Sequence, residues 1–264
     1  MAGATSAADA ASAPRRSPQR YDRIVVVGGG CYGGYYVRQL SRAERAGAVE
    51  CAELLVVDRD PACAVAGLSP DTRPSRTRVV VSAWDDFFAT YLATAAASPT
   101  RGHDAIVPSP LMPHLMADWL VARARARWPD RSVRVERLDG SLPVPWQRSG
   151  DDGTHYVSFA EWMCPINCIE PARCPHTRGP RTWSLPTAIA SHVEPARADG
   201  ARLGLPLLFH CTHRAYGVGM IDVREVLEAD AVVAAVGQSG EASFLIGTVS
   251  HCHGALRRVV VGAA

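Results

Sequence analysis

The sequence predicts an α/β fold built on a doubly wound, mostly parallel sheet that carries a cysteine-rich metal-binding insertion. Three observations predict it. Short β-branched runs alternate with helical stretches through the first half of the chain. The alternation breaks from about Leu138 to Leu205, where Pro, Gly, Trp and Arg crowd together, and that stretch holds Cys164, Cys168 and Cys174.

Taken in order, residues 1–20 are rich in Ala and Ser and lack the apolar stretch of a secretory leader, so they read as a disordered tail. Arg23 to Gly28 is a β-branched run ending in glycine, the pattern of a strand buried on both faces. A helix is expected from about Tyr32 to Ala46. Glu53–Asp58 is a second strand and Arg78–Ser82 a third, followed by a helix carrying Phe87, Phe88, Tyr91 and Leu92. Asp104–Pro108 is a fourth strand, Met112–Ala126 its helix, and Val133–Val135 a short fifth strand. After the break, Pro206–His210 resumes as a strand and Met220–Glu228 as a helix. Ala231–Val236 and Phe244–Val249 read as two further strands. The expected division is a tail at 1–20, a cofactor-binding domain at 21–137, an insertion at 138–205 and a C-terminal α/β segment at 206–264. At 264 residues, one domain with an insertion and two small domains are both compatible with the length.

Composition narrows the function classes. A net charge of +2, with no concentrated basic patch, points away from nucleic acid. No apolar stretch approaches the roughly 20 residues of a membrane span, so a cytoplasmic location is expected. All the cationic side chains are arginine. Without lysine there is no Schiff base, no P-loop lysine and no Tyr-x-x-x-Lys relay.

Gly28-Gly-Gly30-Cys-Tyr-Gly33-Gly34 contains Gly-x-Gly-x-x-Gly at Gly28, Gly30 and Gly33. These permit a tight turn, a close backbone approach to a pyrophosphate, and close helix–strand packing, in that order. The helix that follows offers free N–H groups to phosphate, and Asp58, ending the second strand, can accept from a ribose diol. The context is that of a Rossmann-like domain. The run "IVVVGGGCYGG…LLVVDRDPACAVAG" resembles the NAD-binding domains of potassium-transport regulators of the TrkA or RCK type. It is also similar to S-adenosylmethionine-dependent methyltransferases and the spermidine-synthase group, where Asp85 or Asp86 would fill the acidic place after the third strand. The resemblance implies NAD, or S-adenosylmethionine, on Gly28, Gly30, Gly33 and Asp58.

Cys164-Pro-Ile-Asn-Cys168-Ile-Glu-Pro-Ala-Arg-Cys174-Pro-His176 gathers three thiols and an imidazole. Thiolates are soft ligands, so Cys164, Cys168, Cys174 and His176 are the expected ligands of zinc, or the thiols those of an iron–sulfur cluster. Trp162 and Trp183 flank the loop and would cover the site. His210-Cys-Thr-His213 and His251-Cys-His253 are further groups. His251 and His253, expected at a strand end, would share one face and Cys252 the other. His210, His213, His251 and His253 are therefore the catalytic candidates. Glu170 and Arg173 lie inside the loop and read as solvated or, alternatively, as contacts to substrate; His114 sits where open α/β sheets place their ligands, or serves core packing or helix capping.

These readings favour an NAD(P)-binding oxidoreductase with a cysteine-ligated metal or iron–sulfur centre, acting on a small molecule or a redox partner. The alternatives are a non-catalytic nucleotide- or redox-responsive regulator and an S-adenosylmethionine-dependent transferase. Self-association is left open.

Overall fold

The computed structural model describes residues 17–98, 103–138, 140–160, 165–200 and 203–263. Its described residues form two mixed sheets and five α-helices. The first sheet begins as the sequence predicts. β1 (Gln19–Val27), β2 (Val49–Asp58), β3 (Thr77–Val81) and β4 (Ala105–Val107) lie parallel in the order β3-β2-β1-β4. α1 (Cys31–Arg45), α2 (Trp84–Ala96) and α3 (Leu115–Arg127) connect them or follow them.

Both faces of this sheet are covered, which explains its continuous apolar runs. Ile24, Val26, Leu54 and Val56 pack towards Val37, Leu40 and Ala43 of α1. Val25, Val27, Leu55 and Val57 alternate with them and face the opposite core, with Phe88, Leu92 and Leu120.

Beyond β4 the expectation of a mostly parallel sheet gives way. β9 (Thr212–Ala215) and β10 (Val218–Asp222) form an antiparallel hairpin that docks β10 antiparallel on β4. The second sheet contains β5 (Val133–Glu136), β6 (Trp146–Ser149), β7 (His155–Ser158), β8 (Leu205–His210), β11 (Ala242–Val249) and β12 (His253–Val261). Its order is β6-β7-β12-β11-β8, with β5 also on β12. Only β8 on β11 is parallel; the other pairs are antiparallel.

Several sequence expectations are therefore corrected. The stretch 138–205 is no separate insertion: β6 and β7 join the second sheet, and α4 (Leu185–Ala198) packs Leu185, Ile189 and Val193 on that sheet's outer face. Neither 137 nor 205 is a boundary, because β5 belongs to the second sheet while β9 and β10 extend the first. β1 starts at Gln19, inside the expected tail, most of which lies outside the described residues. Met220 is in β10, and Ala231–Val236 continues α5 (Val223–Gln238) instead of forming a strand. A short apolar run has no period that separates strand from buried helix, and here Val226, Ala229 and Val233 fall on one helical face.

α2, α3 and α5 lie between the sheets. One core joins Val25 and Leu55 of the first sheet to Phe244, Ile246 and Val259 of the second through these helices. The layers thus run α1, first sheet, helices, second sheet, α4. Among the described residues, no helix is long and apolar enough to cross a membrane.

Candidate functional site

The glycine turn adopts the geometry its residues allow. Gly28 has φ +85°, a region open to glycine at little cost, and its N–H bonds the Val57 carbonyl at 2.9 Å. At Gly33 a Cβ would lie 1.9 Å from the Gly28 carbonyl oxygen, so close packing of α1 on β1 requires glycine. Gly30 is exposed, has open space beside it, and begins α1 without a side-chain cap.

Asp58 points at this turn. Its Oδ2 accepts the Gly29 N–H at 2.6 Å and its Oδ1 the Asp60 N–H at 2.9 Å. The segment after β2 then closes over the turn: buried Cys63 fills the space above Gly29, and the Val65 N–H bonds the Gly29 carbonyl at 2.9 Å. From another side, the Trp84 indole N–H bonds the Val57 carbonyl at 2.9 Å. Asp85 and Asp86 are exposed in the first turn of α2, with Asp85 3.8 Å from Arg59.

A cavity of about 1040 Å³ opens beside the turn, at the upper end of the range for small-molecule sites. Tyr32 and Tyr36 of α1 line one side, and the loop after β4 contributes Ser109 and Leu111. Trp146, Arg148 and Tyr156 come from the β6–β7 hairpin of the second sheet. Gly28, Gly30, Gly33 and Asp58 do not line it. Burial, with the Cys211 thiol and the Tyr32 and Tyr35 phenols nearby, pushes the Tyr36 hydroxyl above its ordinary pKa, keeping it a neutral donor.

The remaining wall is polar and centres on Glu170. This residue has φ +51°, and its carbonyl accepts a hydrogen bond from the Arg181 guanidinium. Its Oε1 accepts the His251 N–H at 3.1 Å, and its Oε2 lies 3.7 Å from Nδ1 of His213. Cys168, Cys211, His213, Cys252 and His253 line the cavity with it. Burial lowers the pKa of His213, Glu170 opposes that effect and Arg181 adds to it. Burial likewise lowers His210, and it pushes Cys211 up to about 12. Burial also raises Cys252, whose Sγ accepts the Trp183 indole N–H at 3.3 Å. Trp183 in turn stacks on Phe159, with 5.7 Å between centroids.

The expected metal ligands that lie among the described residues occupy separate surroundings. Cys164 lies outside the described residues, as does Trp162. Cys168 reaches the cavity wall. Cys174 is 2% exposed in its own turn, where burial raises its pKa but amide and hydroxyl donors from His176 and Thr177, with Arg181, bring it below the ordinary thiol value. His176 sits on the exposed side of that turn. Among the described residues no three His, Cys, Asp or Glu side chains gather as a metal ion would require.

The histidines divide as well. His210 ends β8 and His213 lies on β9. The shared-face expectation for His251 and His253 fails, because β11 ends at Val249 and β12 starts at His253, leaving His251 and Cys252 in the turn between them. His114 precedes α3, with its Nε2 3.5 Å from Asp118. Reading the sequence missed Glu170 as the centre of the cluster and missed Arg181, Tyr36 and Gly219 altogether. Only the unusual density of polar residues between Cys164 and Arg181 could have pointed to the first two.

No curated protein and no solved structure matches the chain. A family model matches residues 116–262, a stretch that holds Glu170, His213 and Cys252 and leaves out the glycine turn. Since the match covers more than half of the chain, the protein belongs to the family AF_1314_C, described as "Uncharacterized protein, C-terminal domain".

Proposed function

We propose that this chain is a nucleotide-cofactor-binding protein of the oxidoreductase type, with its ligand in the cavity between the two sheets. One observation carries the reading: a single cavity meets both the first turn of α1, at Tyr32, and the cluster of Cys168, Glu170, His213 and Cys252. An anionic linker would bind at the uncapped amino end of α1. The tyrosines and Trp146 offer flat surfaces to a ring, and the polar cluster would receive the reacting end. NAD is the cofactor favoured by the parallel β3-β2-β1-β4 order with a glycine turn after β1.

Asp58 fits this reading in a modified role. Its oxygens hold the turn's backbone, so a ribose diol would have to share lone pairs already accepting N–H groups. The metal half of the expectation has less behind it, because Cys168 and Cys174 occupy separate surroundings.

Calorimetric titration of the purified protein with NAD, NADP and S-adenosylmethionine tests the proposal. NAD is expected to bind in the micromolar range, at least about tenfold tighter than the other two, a difference of 1.4 kcal/mol. Preferential binding of S-adenosylmethionine would replace the oxidoreductase reading with the transferase one. No heat with any of the three would overturn both.

A further inference from the structure

We propose that Glu170 and His213 form a proton-transfer pair, in which Nε2 of His213 accepts the proton of a hydroxyl-bearing ligand held in the cavity. Both residues line the cavity, and their side chains are only 15% and 23% exposed. Among the described residues Nδ1 of His213 is buried without a hydrogen bond, and the Glu170 carboxylate approaches it to 3.7 Å. A carboxylate can only accept, so a hydrogen bond formed as this contact shortens would require the ring proton on Nδ1 and leave the Nε2 lone pair free. Contacts of this kind are often long before a ligand binds and shorten when it does.

Two features suit the pair to chemistry beyond packing. Glu170 is held in a left-handed conformation that a non-glycine residue adopts only when its surroundings enforce it. The His251 amide on its carboxylate and the Arg181 guanidinium on its carbonyl supply that enforcement. Across the β9–β10 hairpin, His213 is paired with Gly219. A Cβ there would lie 3.5 Å from Nε2 and 2.6 Å from the Cys211 thiol, so glycine keeps the space beside the ring clear.

The step is simple. The ligand O–H bond breaks, its electron pair stays on oxygen, and the proton joins Nε2. The imidazolium so formed is paired with the Glu170 carboxylate. Among the described residues, Arg181, His210, Cys211, His251 and Cys252 bear on the pair, and Cys168 and His253 line the same wall.

This assignment stands without the nicotinamide reading and is tested separately from it. Diethyl pyrocarbonate acylates a neutral, accessible imidazole nitrogen, and peptide mapping of the modified full-length protein reports each histidine. His155 is the internal control, since Ser149 and Gln147 engage its two ring nitrogens at 3.1 and 3.0 Å. Near neutral pH, His213 is expected to react about tenfold faster than His155, and Glu170→Gln and Gly219→Ala should each reduce that rate several-fold. Equal reactivity at the two histidines, or a His213 rate unmoved by Glu170→Gln, would overturn the proposal. Should either variant fail to fold, nitrogen NMR of the unaltered protein decides. The Nδ1–H tautomer is expected at His213, and an Nε2–H tautomer there would sink the pair.

Discussion

The two sheets that enclose the cavity satisfy their polar groups in opposite ways. Around β1 and β2 the partners come from neighbouring strand ends: Asp58, closing β2, caps the glycine turn that follows β1, and the backbone of residues 63–65 closes over it. In the second sheet the solution is distant. Arg257 on β12 is only 8% exposed along its side chain, and it pairs with Asp118 of α3 and, at 2.5 Å, with Asp152 in the β6–β7 turn. Its Nε also bonds the Thr154 hydroxyl at 2.9 Å. Beside it, Arg258 pairs with Glu136 of β5. The sheet on one side of the cavity is thus set by steric fit of the main chain, and the sheet on the other by charges brought together from far apart, neither group lining the cavity directly. Each mode of construction fails in its own way.

The largest effect is expected from Gly33→Ala. With 1.9 Å between the new Cβ and the Gly28 carbonyl oxygen, α1 must move off β1. A loss of about 3 kcal/mol or more is expected in urea denaturation, at the upper end for overpacking. Arg257→Ala should come next, at about 2 kcal/mol, because it removes a buried guanidinium and its packing while the two carboxylates it leaves are screened by solvent. Arg257→Met should cost less, since it restores packing without the charge, and equal losses in the two variants would show that charge alone holds this sheet. Asp58→Asn is expected to cost about 1–2 kcal/mol, because an amide cannot accept both N–H groups. Gly30→Ala should stay within about 0.5 kcal/mol, as open space lies beside it. If Gly30→Ala were as damaging as Gly33→Ala, the described packing of the turn would be wrong.

A pH titration separates the sheets further. Burial pushes the Asp152 carboxyl up, but bonds from Thr154 and Arg257 outweigh it and hold the pKa at about 2. The folded value lies below the unfolded one of about 3.9, so this contribution is complete above about pH 4 and fades as pH falls towards 2. Asp152→Asn should flatten the stability profile across that window. An unchanged profile would remove Asp152 from the account.

This contrast also explains what could be read in the chain. The parallel strands were legible because each is one β-branched run whose alternate residues fill two cores, as Val25 and Val26 do. The glycines and Asp58 were legible because turn chemistry is local. In the second sheet β5, β8 and β11 were legible as strands, but β6, β7, β12 and the pairing that joins them were not. Trp146–Ser149 carries little apolar pattern, and Val133–Glu136 finds its partner only in β12. Glu170 was read as solvated because nothing next to it in the sequence announces the His251 amide or His213. Its surroundings exist only after β9 and the β11–β12 turn have come together. The thiol loop shows the limit of spacing as a guide: it brings ligands near in sequence, while among the described residues Cys168 reaches the cavity and Cys174 its own turn.

β12 has a consequence for how the chain is made. Along one edge it pairs with β11 for its full length, and along the other it holds β7 and then β5, strands synthesised long before it. Until His253–Val261 has been synthesised, β5 and β7 lack the strand they finally share, although β7 can already pair with β6, so the second sheet closes late.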